Sequence, residues 1–96
     1  MYIRLVRFAF GPGKHAVAEE LARTLVSAIS GQPGCNSVSF FGDETNGEYG
    51  LVVFWDSQEN ADAAVQVIGP KMQQGMAGNA QSPPDIRLFE VMETKP

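Results

Sequence analysis

Hydrophobic positions in the first third of this chain change their period once, and the change separates two predicted elements. Residues 2–10 are rich in β-branched and aromatic side chains, which predicts a strand that ends at the breaker Gly11-Pro12-Gly13. Residues 14–30 switch to helical spacing and stop at a segment rich in glycine and proline. The apolar stripe of this predicted helix consists of Val17, Leu21, Leu25, and Ala28 with Ile29.

The middle of the chain predicts a hairpin that runs directly into a second helix. Residues 35–42 and 48–55 have strand character, and the turn between them contains Asn46-Gly47, which tolerates positive φ. A helix start follows the second strand without a linker, with Asp56 as the predicted N-cap and Ser57 as the alternative. The apolar stripe of this second helix consists of Ala61, Ala64, Val65 and Ile68.

The last third of the chain is predicted to be less regular. Gly69-Pro70 is expected to interrupt the second helix, because proline lacks a backbone donor and clashes with the preceding turn. One further short turn is expected over residues 71–74. Residues 75–84 are predicted to be loop, and residues 85–93 to form the final strand.

The resulting order is strand, helix, strand, strand, helix, strand within 96 residues. This order predicts one domain over residues 1–96 with an α+β, ferredoxin-like βαββαβ fold. In such a fold four antiparallel strands form one sheet, and both helices cover the same face of it.

The predicted strands are apolar on both faces, and this pattern indicates how the protein assembles. In the third strand Leu51, Val53 and Trp55 alternate with Val52 and Phe54. Two helices of this length cover only one face, so the other face needs a partner, and an identical sheet is the simplest one. We therefore expect a homodimer in which two sheets face each other as an α+β barrel. The alternative, a monomer with an exposed apolar sheet, would promote aggregation.

Composition narrows the class of protein. The net charge of −4 argues against a nucleic-acid partner. One cysteine and one histidine exclude an internal disulfide framework and disfavour a metal site. Arginines at positions 4 and 7 interrupt the first apolar run, so no secretory signal is predicted, and no apolar stretch is long enough to span a membrane. A cytoplasmic protein is the expectation.

Several side chains are candidates for chemistry, although no catalytic residue is assigned. Trp55 is expected to stack on a flat ligand and donate its indole N–H, in an apolar pocket between sheet and helices. Its alternative role is that of a core residue at a strand end. The candidate ligand-binding residues are Trp55, Val6, Phe8, Val53, Val65, Arg87 and Tyr49.

The polar candidates each have a second interpretation. Arg87 and Arg4 are suited to holding an enolate or a carboxylate, and an interface ion pair is the alternative for both. Tyr49 is expected at the mouth of the cleft. His15 lies in the first helical turn with no acid in register, which predicts a solvated residue. Cys35 has no base near it in sequence and is expected to be a small buried side chain.

Three segments of the chain resemble the antibiotic biosynthesis monooxygenase family. They are Pro12-Gly13-Lys14, Pro33-Gly34-Cys35 and Val53-Phe54-Trp55-Asp56-Ser57. The resemblance covers nearly the whole chain and implies a dimeric α+β barrel with a ligand cleft between the sheet and the helices of each subunit. The family includes cofactor-independent oxygenases of quinol-like aromatics, haem-degrading enzymes and proteins of unknown role.

The resemblance transfers some functional positions and not others. Haem-degrading members use an Asn on the first strand, the Trp between the third strand and the second helix, and a His on the second helix. Trp55 matches, but Val6 and Val65 stand near the other two positions, and valine cannot ligate iron, so haem degradation is not expected. Cofactor-free members place an Asn before the Trp and a Tyr after it, where this chain has about Leu51 and Ala61.

The resemblance therefore implies a cofactor-independent, monooxygenase-like enzyme that acts on a small aromatic or polyketide-like substrate in the cleft. One alternative is a non-catalytic ligand-binding or stress-responsive dimer of the same fold, and another is a subunit that contacts a different protein. A donor and a base that converge in the cleft would favour an enzyme. A dry apolar cleft without them would favour binding.

Overall fold

The computed structural model describes residues 1–96 and has six elements in the predicted order. Their bounds are β1 Tyr2–Ala9, α1 His15–Ser30, β2 Cys35–Asp43, β3 Glu48–Trp55, α2 Gln58–Met76 and β4 Asp85–Glu90. The strands form one antiparallel sheet in the order β2-β3-β1-β4. The predicted ferredoxin-like α+β fold is confirmed. Neither helix has the length and apolarity that crossing a membrane would require.

One face of the sheet forms the core together with the two helices. In β1 the side chains of Val6 and Phe8 are buried on this face, and in β3 the alternate residues Leu51, Val53 and Trp55 join them. The helices complete the core with Ala18, Leu21, Leu25 and Ile29 from α1, and Ala61, Ala64, Met72 and Met76 from α2.

The buried stripe of α1 differs slightly from the predicted one. Ala18 is fully buried, whereas Val17 is only half-buried against the core. A helix has 3.6 residues per turn, so a straight stripe steps by three as well as by four residues. A step of three from Leu21 back toward the N-terminus reaches Ala18.

Helix α2 passes through Gly69-Pro70 without a break, so the predicted interruption there is wrong. The turns beyond Pro70 bury Met72 and Met76 against the core. Full burial of one such side chain stabilises by about 1.5–3 kcal/mol, and a helical proline costs about 3 kcal/mol. The two methionines together therefore offset the proline, which is itself exposed.

Ser57, the alternative predicted cap, is the N-cap of α2. Its Oγ accepts the backbone N–H of Asn60 at 3.1 Å and donates to the Asn60 side-chain oxygen at 2.8 Å. The backbone N–H of Asp56 donates to the carbonyl of Gly34 at 2.8 Å. Gly34 has φ +80, and a Cβ there would collide with the Asn60 side chain, so only glycine fits this position. These contacts fix the connection between the end of β3 at Trp55 and the start of α2.

The opposite face of the sheet is covered by no element of the chain. The register places Ile3 and Leu5 of β1 beside Phe54 and Val52 of β3 on this face. All four side chains are half-buried, and Phe89 of β4, in register with Ile3, is 47% exposed. The predicted apolar second face is thus present, and the dimer that would cover it stays a prediction.

Candidate functional site

A chamber of about 80 Å³ lies between the helix-covered face of the sheet and α2. Its walls come mainly from β1, β3 and α2, and 10 of its 12 lining residues are hydrophobic. The strands contribute alternate residues because successive side chains of a strand point to opposite faces. The chamber is therefore a consequence of the register of the sheet and of the apolar stripe of α2.

Trp55 lines this chamber from the end of β3 and is 1% exposed. Its indole Nε1 is buried and has no hydrogen-bond partner, the only buried side-chain nitrogen or oxygen in that state. An unpaired buried donor of this kind costs about 1–3 kcal/mol. A ligand whose acceptor oxygen reaches this nitrogen would remove this cost.

Arg4 is the only charged residue among those that line the chamber. It lies on the helix-covered face of β1, and its Nη2 is 3.3 Å from Asp62 Oδ1 on α2. The Arg4 side chain is 19% exposed and that of Asp62 is 60% exposed, so water screens the pair. Exposed pairs of this kind contribute about 0–1 kcal/mol, so an anionic ligand competes with Asp62 for the guanidinium at little cost.

An open groove of about 750 Å³ adjoins the chamber. It runs between the last turns of α2, the loop of residues 77–84 and the start of β4, and none of its lining residues is charged. Gly69, Met72 and Ile86 line both the groove and the chamber. We call these three residues the junction, because the linings of the two cavities share them.

The structure brings together four of the predicted ligand-binding residues. Val6, Val53, Val65 and Trp55 all line the chamber. Val65 lies on the stripe of α2 that faces the sheet, and its side chain is 51% exposed. Val6 and Val65, which stand where haem-degrading members carry polar residues, therefore form apolar wall in this chain.

Phe8 and Tyr49 do not line the chamber, contrary to the expectation that they share a pocket with Trp55. They are buried about 7 Å further along their strands than Val6 and Leu51, where α1 covers the sheet. Their ring centroids are 6.3 Å apart, and Phe10 and Phe40 complete the aromatic cluster. The two side chains contribute to the core at this end of the sheet.

Arg87 lies on the opposite face of the sheet, so its predicted place in the cleft is wrong. The register pairs it with Leu5, and both side chains point away from the helices. Its Nε is 3.2 Å from Asp85 Oδ2. The neighbouring Ile86 faces the chamber instead, because adjacent residues of a strand alternate between faces.

His15 is paired with an acidic side chain, contrary to the expectation from the sequence. Its Nε2 is 3.3 Å from Glu19 Oε1 one turn later, and its Nδ1 is 3.5 Å from the Tyr49 hydroxyl. Burial raises the pKa of Tyr49, and the carboxylates of Glu44, Asp43 and Glu19 act in the same direction. Tyr49 is therefore a neutral phenol at physiological pH, and this hydrogen-bonded set lies outside the chamber.

Cys35 is half-buried at the start of β2, and its Sγ donates weakly to the carbonyl of Ser37 at 3.8 Å. Burial raises the pKa of its thiol, while the hydrogen bond lowers it by a smaller amount. This environment disfavours the thiolate that a nucleophile requires. No three His, Cys, Asp or Glu side chains come together in a way that would hold a metal ion.

The sequence did not identify the junction. The expected break at Gly69-Pro70 assigned Met72 to a separate turn and left Gly69 without a role. The signal was nevertheless present, because Ile68, Met72 and Met76 continue the stripe of α2 at intervals of four residues. An uninterrupted stripe on both sides of a proline indicates one continuous helix.

Comparison with known proteins agrees with this architecture. The model of a family described as antibiotic biosynthesis monooxygenase matches residues 1–75. The crystal structure of an antibiotic biosynthesis monooxygenase superposes with a TM-score of 0.81 at 16% identity, covering 97% of this chain and 100% of the other. A protein of unknown function from Nitrosomonas europaea gives 0.84 at 17% identity, covering 98% and 91%.

A variant of SnoaB, a cofactor-independent oxygenase from Streptomyces nogalater, is similarly close. Its TM-score is 0.80 at 15% identity, and the match covers 99% of this chain and 96% of SnoaB. No curated protein matches the sequence. At these identities the structural likeness establishes the fold alone.

Proposed function

This chain belongs to the antibiotic biosynthesis monooxygenase family, and we propose that it oxidises a small aromatic molecule with dioxygen in the chamber, without a bound cofactor. The observation that supports this most directly is the unpartnered indole N–H of Trp55 in a wall that also contains Arg4. Together they provide one hydrogen-bond donor and one cation in otherwise apolar surroundings. Once a substrate displaces water from the chamber, these surroundings strengthen electrostatic interactions with its anionic oxygen.

The substrate in this proposal is itself acidic. No side chain that lines the chamber is a base, so the proton must leave from a substrate whose anion the protein stabilises. Arg4 lowers the pKa of a bound phenol or enol by favouring its charged form, and Trp55 donates to the same oxygen. The resulting anion is electron-rich at carbon, which is the site that reacts with dioxygen.

The reaction balances without an external reductant. The substrate carbanion reduces dioxygen and forms a carbon–oxygen bond, which gives a hydroperoxide after proton uptake. Cleavage of its oxygen–oxygen bond leaves one oxygen atom on the substrate and releases the other as water. The substrate thus gains one oxygen and loses two hydrogens, so it supplies all four electrons that dioxygen accepts. The chain contributes orientation, anion stabilisation and exclusion of water.

We also propose that the protein acts as a homodimer that buries the open face of the sheet. Ile3, Leu5, Val52 and Phe54 form a continuous apolar patch there, and no element of the chain covers it. Arg7 and Arg87 lie on the same face near Asp85, so charges of both signs are available for pairing across an interface. An identical sheet is complementary to such a patch by two-fold symmetry.

A non-catalytic ligand-binding protein is the second candidate, and the absence of a base in the chamber favours it. The two functions are separated by measuring dioxygen uptake with a panel of quinols and hydroxyanthrones and no added cofactor. An oxygenase consumes one dioxygen per oxidised product. Binding that is detected by calorimetry without dioxygen uptake would instead support the second candidate.

The matched variants for this experiment are Trp55→Phe and Tyr49→Phe. Each removes one polar atom from a buried aromatic side chain, but only Trp55 lines the chamber. Loss of a hydrogen bond to a charged oxygen costs about 1.5–3 kcal/mol. We therefore expect kcat/KM to fall about tenfold to a hundredfold in Trp55→Phe and to change little in Tyr49→Phe. Equal rates in the two variants would remove Trp55 from the mechanism.

A further inference from the structure

We propose that the ligand of this site is a single aromatic ring with an aliphatic tail, in which the ring enters the chamber and the tail lies in the adjoining groove. This inference rests on the proposed function for the site. It adds the substrate class and assigns the groove, whose place beside the chamber is the main observation. A fused polycyclic aromatic is excluded as the preferred substrate.

The size of the chamber limits what enters it. Its volume is about 80 Å³, whereas an apolar cavity of about 150 Å³ is known to accommodate benzene. One ring therefore enters only if the wall yields by nearly as much volume as the chamber already has. Met72 is suited to such an adjustment because its unbranched side chain has several rotatable bonds. Three fused rings require a much larger displacement of α2 from the sheet.

The junction determines how the rest of the ligand leaves the chamber. A Cβ added at Gly69 would make one ordinary van der Waals contact, with Val65 Cγ1 at 4.0 Å, so this position has room for a Cβ without a clash. A glycine inside a helix is about 1 kcal/mol less stable than alanine. Here it keeps this part of the wall shared by chamber and groove free of a side chain. Ile86, which forms the opposite side of the junction, belongs to β4.

The chemistry of the groove identifies the tail. Its apolar surface comes from Met72, Met76, Ala80 and Ile86, and Gln73 and Ser82 are the polar residues with side chains along it. No charged residue lines it, so it has nothing to pair with a phosphate, a carboxylate or an ammonium group. A neutral hydrocarbon chain is the occupant that this surface fits. Because the groove and the chamber share the junction residues, one molecule can place its ring in the chamber and its tail in the groove.

The test uses calorimetric titration without dioxygen, so that binding is measured separately from oxidation. The ligands are hydroquinones with methyl, propyl and hexyl tails, and a tricyclic hydroxyanthrone. We expect affinity to increase about twofold to fourfold per methylene, as for partial to full burial of each group. The hydroxyanthrone should bind more weakly than hexylhydroquinone. Affinity that is independent of tail length, or tighter binding of the tricyclic compound, would overturn the inference.

Two substitutions locate the tail. Gly69→Leu places a side chain in the junction and should reduce the affinity for hexylhydroquinone by about tenfold or more. The matched control is Ala63→Leu, on an exposed position of the same helix. Ile86→Glu introduces a charge into the groove at a side chain that is 52% exposed, so folding should tolerate it. This variant should abolish the dependence of affinity on tail length. A dependence that persists in the variant would contradict the assignment of the groove.

The result also separates this inference from the proposed function. Tail-dependent binding without dioxygen uptake would refute the oxygenase while supporting the assignment of the groove. Dioxygen uptake with the hydroxyanthrone, combined with tail-independent binding, would support the oxygenase and refute the assignment. A groove that is covered by a second copy of the chain would also give tail-independent binding, and Gly69→Leu would then match its control.

Discussion

Trp55 would be a poor choice of residue if its side chain served only to fill the core, because its indole N–H has no partner there. A phenylalanine would bury a similar aromatic surface without a donor that lacks a partner. Removing the N–H recovers part of the roughly 1–3 kcal/mol of its desolvation, and the smaller ring loses some packing. These two effects oppose each other, whereas loss of the donor can only weaken a ligand that uses it.

We therefore predict that Trp55→Phe changes the free energy of unfolding by less than about 1 kcal/mol, although it weakens ligand binding. The measurement is urea denaturation followed by far-ultraviolet circular dichroism, with calorimetric titration of the same preparation. Tyr49→Phe serves as the control for the loss of a buried polar atom outside the chamber. Destabilisation by several kcal/mol with unchanged binding would assign Trp55 to the core alone.

Tyr49 gives a prediction about pH at the same scale. Its pKa in the folded protein is raised above the ordinary value of 10.0, chiefly by burial. The folded state therefore holds the phenolic proton more tightly than the unfolded chain does. Its contribution to stability is complete below about pH 10 and is lost as the pH rises through the folded-state pKa.

Denaturation midpoints measured in the alkaline range test this sign. The wild-type protein should lose stability above about pH 10, and Tyr49→Phe should lose less over the same interval. Cys35 also has a raised pKa and titrates in a neighbouring range, so both proteins should carry Cys35→Ser. A steeper loss in the phenylalanine variant would mean that the sign assigned to Tyr49 is wrong.

At the scale of the elements, tertiary packing in α2 overrides the tendency of proline to end a helix. The helix continues through Pro70 because the turns beyond it bury Met72 and Met76. We predict that Pro70→Ala raises the free energy of unfolding by about 1–3 kcal/mol, since the side chain is exposed and the helix regains a hydrogen bond. Pro84→Ala, in the loop, is the control. Urea denaturation gives both values, and a destabilised Pro70→Ala would show that the proline fits its helix without strain.

The sequence predicted most of the elements because their signals are local. The alternation in β3 and the glycine-rich stop after α1 depend on neighbouring residues only, and both were located correctly. The errors arose where a distant contact decides the outcome. Pro70 was assigned to a break because nothing nearby shows what Met72 and Met76 pack against.

The candidate site was predictable to a smaller extent, for the same reason. Trp55, Val53 and Val6 could be placed together because they share one face of adjacent strands. Arg87 was misplaced because the face of a residue on β4 depends on its register with β1, and a shift of one residue exchanges the two faces. The groove was not predicted, since its lining residues lie within positions 69–86, where the sequence predicted a helix break and a loop instead of a continuous helix.

At the scale of the whole molecule, the open face of the sheet decides the assembly. We predict that Val52→Asp prevents formation of the dimer or lowers solubility, because a charge would be buried without a partner in an apolar interface. Gln66→Asp, on an exposed position of α2, introduces the same charge away from that face. Sedimentation velocity distinguishes monomer from dimer. A soluble Val52→Asp protein that sediments like the wild type would rule out this interface.

The unequal constraints on the two walls of the chamber have a consequence for how this protein can diversify. The wall residues of β1 and β3 lie on the two central strands, which are hydrogen-bonded on both sides, so replacing them risks the register of the whole sheet. Val65 and Ile68 lie on a helix whose backbone bonds are internal, and neither is fully buried. Replacing these two side chains by others would reshape the chamber at little risk to folding. A small library at these positions is thus the shortest route to new ligand preferences, with the sheet retained as an unchanging template.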